Sequence, residues 1–148
     1  MMHVFEGIKI KGIDEKGKEK DFSLSNLRKE IILYFYPKDN TSVCTKEAID
    51  FRDKMKQLHD KATVIGVSPD SLNSHKEFQK SNSINYPLLS DPDNKLANLL
   101  GVSKVVEKGG SKYMSVDRST FIIKDGLIKK AWRNVDVNGH VDDVINSL

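Results

Sequence analysis

The order of apolar and amphipathic segments along the 148 residues predicts an α/β sandwich, one mixed sheet with helices on both faces. Three observations carry that expectation. Ile31-Ile32-Leu33-Tyr34-Phe35-Tyr36 and Ala62-Thr63-Val64-Ile65-Gly66-Val67-Ser68 are short, apolar and rich in β-branched residues, as strands buried on both faces are. Between them Ala48, Phe51, Met55 and Leu58 recur at spacings of three and four, so the three segments form a βαβ unit with parallel strands and a right-handed crossover. The third observation is Asp125-Gly126, a two-residue hairpin signal between apolar runs over 117–123 and 127–132.

In chain order, residues 5–22 read as a hairpin-like start. Ile8, Ile10 and Ile13 are apolar, Glu15-Lys16-Gly17-Lys18 makes a turn, and Phe22 and Leu24 return toward the core. Ser25 is placed to cap a short turn through Leu27 and Arg28. Pro37 ends the run 31–36, because proline has no N–H for a sheet ladder, and Asp39-Asn40-Thr41-Ser42 supply turn and N-cap side chains. A helix runs on from Cys44. Ser68-Pro69-Asp70-Ser71 opens a second helix with Leu72 and Phe78 inward. Residues 84–93 form a loop with a short extended piece, and residues 95–100 a brief helix ended by Gly101. Residues 103–112, with Gly109-Gly110, read as a mobile surface excursion and possible lid. Val141, Val144, Ile145 and Leu148 share one face of a final helix. No repeat or low-complexity tract intervenes, so residues 1–148 are expected to form one domain. This order of elements fits a thioredoxin-like three-layer sandwich.

Composition narrows the function. Apolar content of 38% and charged content of 30% suit a globular chain, and its length buries a core without staples. The net charge of +3 comes from lysines scattered among acids, which does not point to nucleic acid. A single cysteine excludes an internal disulfide. No run is long enough to span a bilayer and residues 1–6 lack a signal-peptide core, so a cytoplasmic location away from membranes is expected. The four histidines and the cysteine show no metal-ligand spacing; no metal or cofactor is expected. By pattern His59 and His75 lie on helix surfaces, and His3 and His140 near the termini, so none is placed as the base of a cysteine hydrolase. Arg52 lies too far along for a phosphate-cradling Cys-x5-Arg loop, and Gly109-Gly110-Ser111-Lys112 lacks the first glycine of a P-loop. Trp132 reads as a core or rim aromatic of the last strand.

Cys44 falls in the first turn of a helix entered from a buried strand. The unpaired amides and the dipole of that turn stabilise a thiolate. An isolated cysteine reads more readily as a small buried hydrophobe, since free cysteines are commonly buried. The neighbours decide. Pro37, Thr41 and Cys44 match P-x-x-x-T-x-x-C, and this stretch resembles the peroxiredoxins. Phe35-Tyr36-Pro37-Lys38-Asp39-Asn40-Thr41, Cys44-Thr45 and Glu47-Ala48 look like their bacterioferritin-comigratory, or PrxQ, branch. So do Arg118-Ser119-Thr120-Phe121 and Gly139-His140-Val141-Asp142, which extends the resemblance over nearly the whole chain. It implies the thioredoxin fold and a thiol-dependent peroxidase acting on hydrogen peroxide and organic hydroperoxides. It also implies an external thiol as reductant (thioredoxin, glutaredoxin or a low-molecular-weight thiol) and a monomer or weak homodimer.

In that reading Cys44 attacks a peroxide oxygen and becomes a sulfenic acid. Complete ionisation of an ordinary cysteine gains only roughly 30-fold, about 2 kcal/mol of barrier, so preorganised donors must supply the larger share. Thr41, three residues before Cys44, is one candidate donor; alone it reads as a helix cap. Arg118, at the start of a strand, is the other; without the motif it reads as a surface ion pair. Pro37 shields the sulfur and shapes the loop, and Glu47 orients an arginine unless it is merely an exposed helix carboxylate. Two departures from the branch stand out. Ile49 occupies the position where many PrxQ-type proteins carry a second cysteine, and Ser42-Val43 replaces the frequent Pro-Gly. The sulfenic acid must therefore be resolved by an external thiol, including another subunit's Cys44. The alternative is a chaperone or binding module on the same fold, against which Pro37, Thr41, Cys44 and Arg118 weigh together, since a scaffold needs none of them; a redox sensor that passes its oxidation to a partner is the nearer rival and stays open.

Overall fold

The computed structural model describes residues 5–27, 29–58 and 60–148; the expectations for His3, Arg28 and His59 lie outside them. Strands β1 (Lys9–Ile13) and β2 (Glu19–Ser23) pair antiparallel about a turn in which the Asp14 carboxylate accepts from the amides of Lys16 and Lys18. A 3-10 turn, Leu24–Asn26, follows. Ser25 lies inside it and does not cap it; its hydroxyl meets that of Ser23 at 3.2 Å.

Then come β3 (Glu30–Phe35), α1 (Ser42–Arg52), α2 (Met55–Leu58), β4 (Ala62–Ser68) and α3 (Leu72–Asn82). The chain continues through β5 (Leu88–Ser90), α4 (Lys95–Leu99), β6 (Ser103–Lys108), β7 (Ser111–Val116), β8 (Ser119–Lys124), β9 (Leu127–Trp132) and α5 (His140–Ile145). Seven strands form one mixed sheet in the order β2-β1-β5-β4-β3-β8-β9, with β3, β4 and β5 parallel and the remaining pairs antiparallel. This is the thioredoxin-like α/β sandwich that the sequence predicts, including the parallel β3-α-β4 unit.

Two expectations need correction. The helix after Cys44 is not continuous to Leu58: the Lys54 amide bonds three residues back, to Phe51, and this tighter turn separates α1 from α2. Residues 103–112 are no loose excursion but most of a hairpin, β6 and β7, with Val105 opposite Met114 and Val106 opposite Tyr113. Gly109 and Gly110 have φ of 59° and 82°, as a two-residue primed turn demands, so the glycines set a register and not a hinge.

The period of two along β3 divides the core. Ile32 and Tyr34 face α1, α2, α3 and α5, where Ala48, Phe51, Leu58, Phe78 and Val144 pack. Ile31, Leu33 and Phe35 face the other way, onto Leu24 and the Leu96 and Ala97 of α4. Gly66 of β4 makes room on the first side: a Cβ there would stand 3.0 Å from the Tyr34 hydroxyl, which is itself bonded to the Tyr86 hydroxyl at 2.6 Å.

Candidate active site

The site forms where β3 ends and α1 begins. Tyr36 continues the ladder for one residue, its amide donating to the Val67 carbonyl, and Pro37 then turns the chain off the sheet. Asn40 takes a left-handed conformation (φ 62°), and Thr41 is the extended N-cap of α1. Its hydroxyl does not cap the helix; it donates to the Lys38 carbonyl at 2.9 Å, within the loop. The first intrahelical bond runs from the Thr45 amide to the Thr41 carbonyl, so the amides of Ser42, Val43 and Cys44 lie ahead of the helical ladder. Cys44 is a free thiol, only 2% exposed, seated among the apolar side chains beneath α1.

Arg118 reaches this sulfur from far along the chain. β3 and β8 run antiparallel with Phe35 opposite Ser119, so the residue before Ser119 stands at the end of β3 where α1 starts. Its backbone is fixed by the Val135 amide, which donates to the Arg118 carbonyl. One guanidinium nitrogen (Nη2) donates to Cys44 Sγ at 3.1 Å, and the other (Nη1) to Glu47 Oε1 at 2.7 Å. Burial works against the guanidinium's charge, but Glu47 and the sulfur beside it hold its pKa above the ordinary value. Glu47 is not an exposed helix carboxylate: it is fully buried, and its second oxygen, Oε2, has no partner among the described residues. Burial pushes the Glu47 carboxyl up to about 7, with Arg118 pulling it down and Asp50 adding a little repulsion.

Comparison with known proteins places this geometry. Residues 6–131 match the model of the AhpC/TSA family. The chain is 44% identical over 122 residues to the peroxiredoxin Bcp of Bacillus subtilis, covering 81% of this chain and 78% of that protein. It is 43% identical over 129 residues to a putative peroxiredoxin bcp of Coxiella burnetii, covering 85% of each. Among solved structures, a cysteine-to-serine variant of PrxQ from Xylella fastidiosa superposes with a TM-score of 0.87 at 33% identity, covering 99% of this chain and 91% of that one. The bacterioferritin comigratory protein of Xanthomonas campestris, described for its alkyl peroxide reduction, gives 0.80 at 31% identity, with 93% and 88% covered. The chain belongs to the AhpC/TSA family of peroxiredoxins. Within it the likeness is to the Bcp/PrxQ branch, so the protein is a thiol-dependent peroxidase.

The peroxiredoxin's loop 37–41 is held from behind by a cluster absent from any sequence pattern. His75 is not on the surface of α3 but fully buried, its Nδ1 2.7 Å from Asp39 Oδ2 and its Nε2 2.8 Å from the Leu89 carbonyl. A carbonyl only accepts, so Nε2 carries a hydrogen. Asp39 also accepts from the Tyr36 and Ser74 hydroxyls, and its amide donates to Asp70, which the Ser68 hydroxyl supports. Ligand atoms of Asp39, Asp70 and His75 lie within 4.8 Å of one another, yet each is already engaged in these hydrogen bonds. Pro37, half-buried, lines a groove of about 400 Å³ together with Tyr113 and Met114 of the β6–β7 hairpin.

His140, at the start of α5, meets β8 at Thr120, two residues after Arg118. Its Nε2 is 2.7 Å from the Thr120 hydroxyl, and the half-buried Trp132 meets its ring edge-on at 6.0 Å. Burial lowers its pKa, which Asp143 partly offsets and Arg118 reinforces. The imidazole is therefore held neutral beside the arginine, with its Nε2 engaged by Thr120.

Proposed function

We propose that the protein is a single-domain, one-cysteine peroxiredoxin in which Cys44 reduces hydrogen peroxide and organic hydroperoxides and an external thiol resolves the product. The observation that carries this reading is the Arg118 guanidinium, 3.1 Å from Cys44 Sγ and clamped by buried Glu47. A lone cysteine in a core has no use for a paired, partly buried cation directed at its sulfur.

In the reaction the Cys44 thiolate attacks one peroxide oxygen. An S–O bond forms, the O–O bond breaks, and the sulfur is oxidised to a sulfenic acid while the other oxygen leaves as hydroxide or alkoxide and takes a proton. Arg118 meets the charge that moves from sulfur to oxygen, and its fixed fork needs no reorganisation. The amides ahead of the α1 ladder face the same charge. In this structure the Thr41 hydroxyl is spent on the Lys38 carbonyl, so its donation to peroxide requires it to switch acceptors. Pro37 stands at the start of the loop that leads to Cys44, and the groove it lines has room for the organic part of a hydroperoxide.

No second cysteine is present, so an external thiol attacks the sulfenic sulfur, water leaves, and a second thiol regenerates Cys44. The reductant is a low-molecular-weight thiol, a thioredoxin- or glutaredoxin-type protein, or Cys44 of another copy. The test is one equivalent of peroxide on the reduced protein, followed by mass spectrometry with a sulfenic-acid trap. The expected product carries one trapped sulfenic acid at Cys44, and turnover appears only when a thiol is added. An unmodified Cys44, or turnover without added thiol, contradicts the proposal.

A further inference from the structure

Arg118 carries one positive charge and serves two acids. Cys44 Sγ accepts from Nη2 and Glu47 Oε1 from Nη1, while Glu47 Oε2 lies in the core with no donor among the described residues. A carboxylate normally gathers several donors when buried, and this one has a single partner whose charge is also claimed by the sulfur. The groups around it give no relief. Tyr34 and Tyr86 face it from β3 and from the approach to β5, Asp50 stands one turn along α1, and the hydroxyls of both tyrosines are spent on each other and on the Ala48 carbonyl. His140, neutral beside Arg118, adds no cation.

We propose that Glu47 is the titrating partner of Cys44: the two share Arg118, so Glu47 holds a proton while Cys44 is a thiolate and releases it when the sulfur becomes a sulfenic acid. This rests on the peroxidase reading above. With the thiolate present, an ionised Glu47 would put two negative charges on one guanidinium in a low-dielectric core; burial already brings the carboxyl up to about 7 with Arg118 beside it, and a negative sulfur on the same guanidinium favours the protonated form further. Oxidation by two electrons removes the sulfur's charge. Arg118 is then free for Glu47 alone, and the carboxyl ionises. The proton balance closes: the thiolate reaction consumes one proton for the leaving oxygen, and Glu47 delivers one to solvent in the same step. Glu47 is thus a positioning residue whose charge tracks the redox state of Cys44. It also sets an upper pH limit, because above neutral pH its carboxylate competes with the sulfur for Arg118.

Infrared difference spectroscopy of the full chain at pH 7, reduced minus oxidised, tests this directly. The expected result is loss of a protonated-carboxyl band on oxidation, absent from the same spectrum of Glu47→Gln. The second readout is the pH profile of the rate of Cys44 oxidation by hydrogen peroxide. The wild-type rate falls as pH rises through 7 and above; Glu47→Gln, which keeps a carbonyl for Nη1 but cannot titrate, loses the falling limb. No carboxyl band in the wild-type spectrum, or a falling limb that persists in Glu47→Gln, overturns the inference. Slow oxidation at every pH would instead contradict the peroxidase reading, and the infrared result on the wild-type chain still decides the role of Glu47.

Discussion

At the scale of residues, Arg118 divides its donors between a sulfur and a carboxylate, and replacing it tests both. Arg118→Ala removes the donor to the transition-state oxygen and is expected to slow Cys44 oxidation by roughly 10²–10³-fold, about 3–4 kcal/mol. Arg118→Lys keeps the charge but not the fork, so it is expected to recover only part of the rate, measured by the same oxidation kinetics. Glu47 adds a pH dependence to stability. Its folded pKa is raised above the unfolded value, so the folded state binds the extra proton and its contribution is lost as pH rises from 4.5 through 7. Relative to wild type, Glu47→Gln is therefore expected to gain up to roughly 3 kcal/mol of unfolding free energy between pH 4.5 and 8. Denaturant titrations at the two pH values check it, and a constant difference would contradict it. The motif Pro37, Thr41, Cys44 identified the residues at the helix start, and the short Arg118-Ser119-Thr120-Phe121 match identified the cation. Neither match revealed that Glu47 is entirely buried, because α1 mixes Lys46, Glu47, Asp50 and Arg52 and only the sheet decides which of them faces inward.

Among the elements, the loop 37–41 owes its shape to α3 and β5 as much as to its own residues. Asp39→Ala leaves the His75 ring and two hydroxyls without their acceptor in the core, and a loss of about 3–5 kcal/mol is expected in chemical denaturation. Leu72, His75 and Phe78 recur at spacings of three, so the helical period itself puts His75 on the inward face of α3; the surface reading followed from its polarity and not from its position. A buried polar residue is legible in sequence only when its partner is, and Asp39 is 36 residues away. The β6–β7 hairpin was hidden for another reason. Gly109-Gly110 suits both a loose loop and a primed turn, and the strands around it bury little, with Val105 59% and Tyr113 49% exposed. Gly110→Val, forced to a φ of 82°, is expected to cost about 1–2 kcal/mol. Hydrogen exchange should show it as faster amide exchange confined to residues 103–116.

Over the whole molecule, the sandwich brings together residues that the sequence keeps 74 positions apart. The central strands were legible because β3 and β4 are apolar on both faces, and that pattern also fixes where β3 ends and α1 must start. Antiparallel pairing of β8 against β3 then delivers Arg118 to the same end, so the fold and the site share one geometric cause. The measurement closest to the central claim is the rate of Cys44 oxidation by one equivalent of hydrogen peroxide, followed by rapid mixing in the wild-type chain and in Arg118→Ala. Oxidation is expected to be orders of magnitude faster than that of a free cysteine, and that advantage is expected to collapse in the variant. A Cys44 that reacts no faster than a free thiol, or a rate indifferent to Arg118, would contradict the central claim and favour a redox-inert binding module on the same fold.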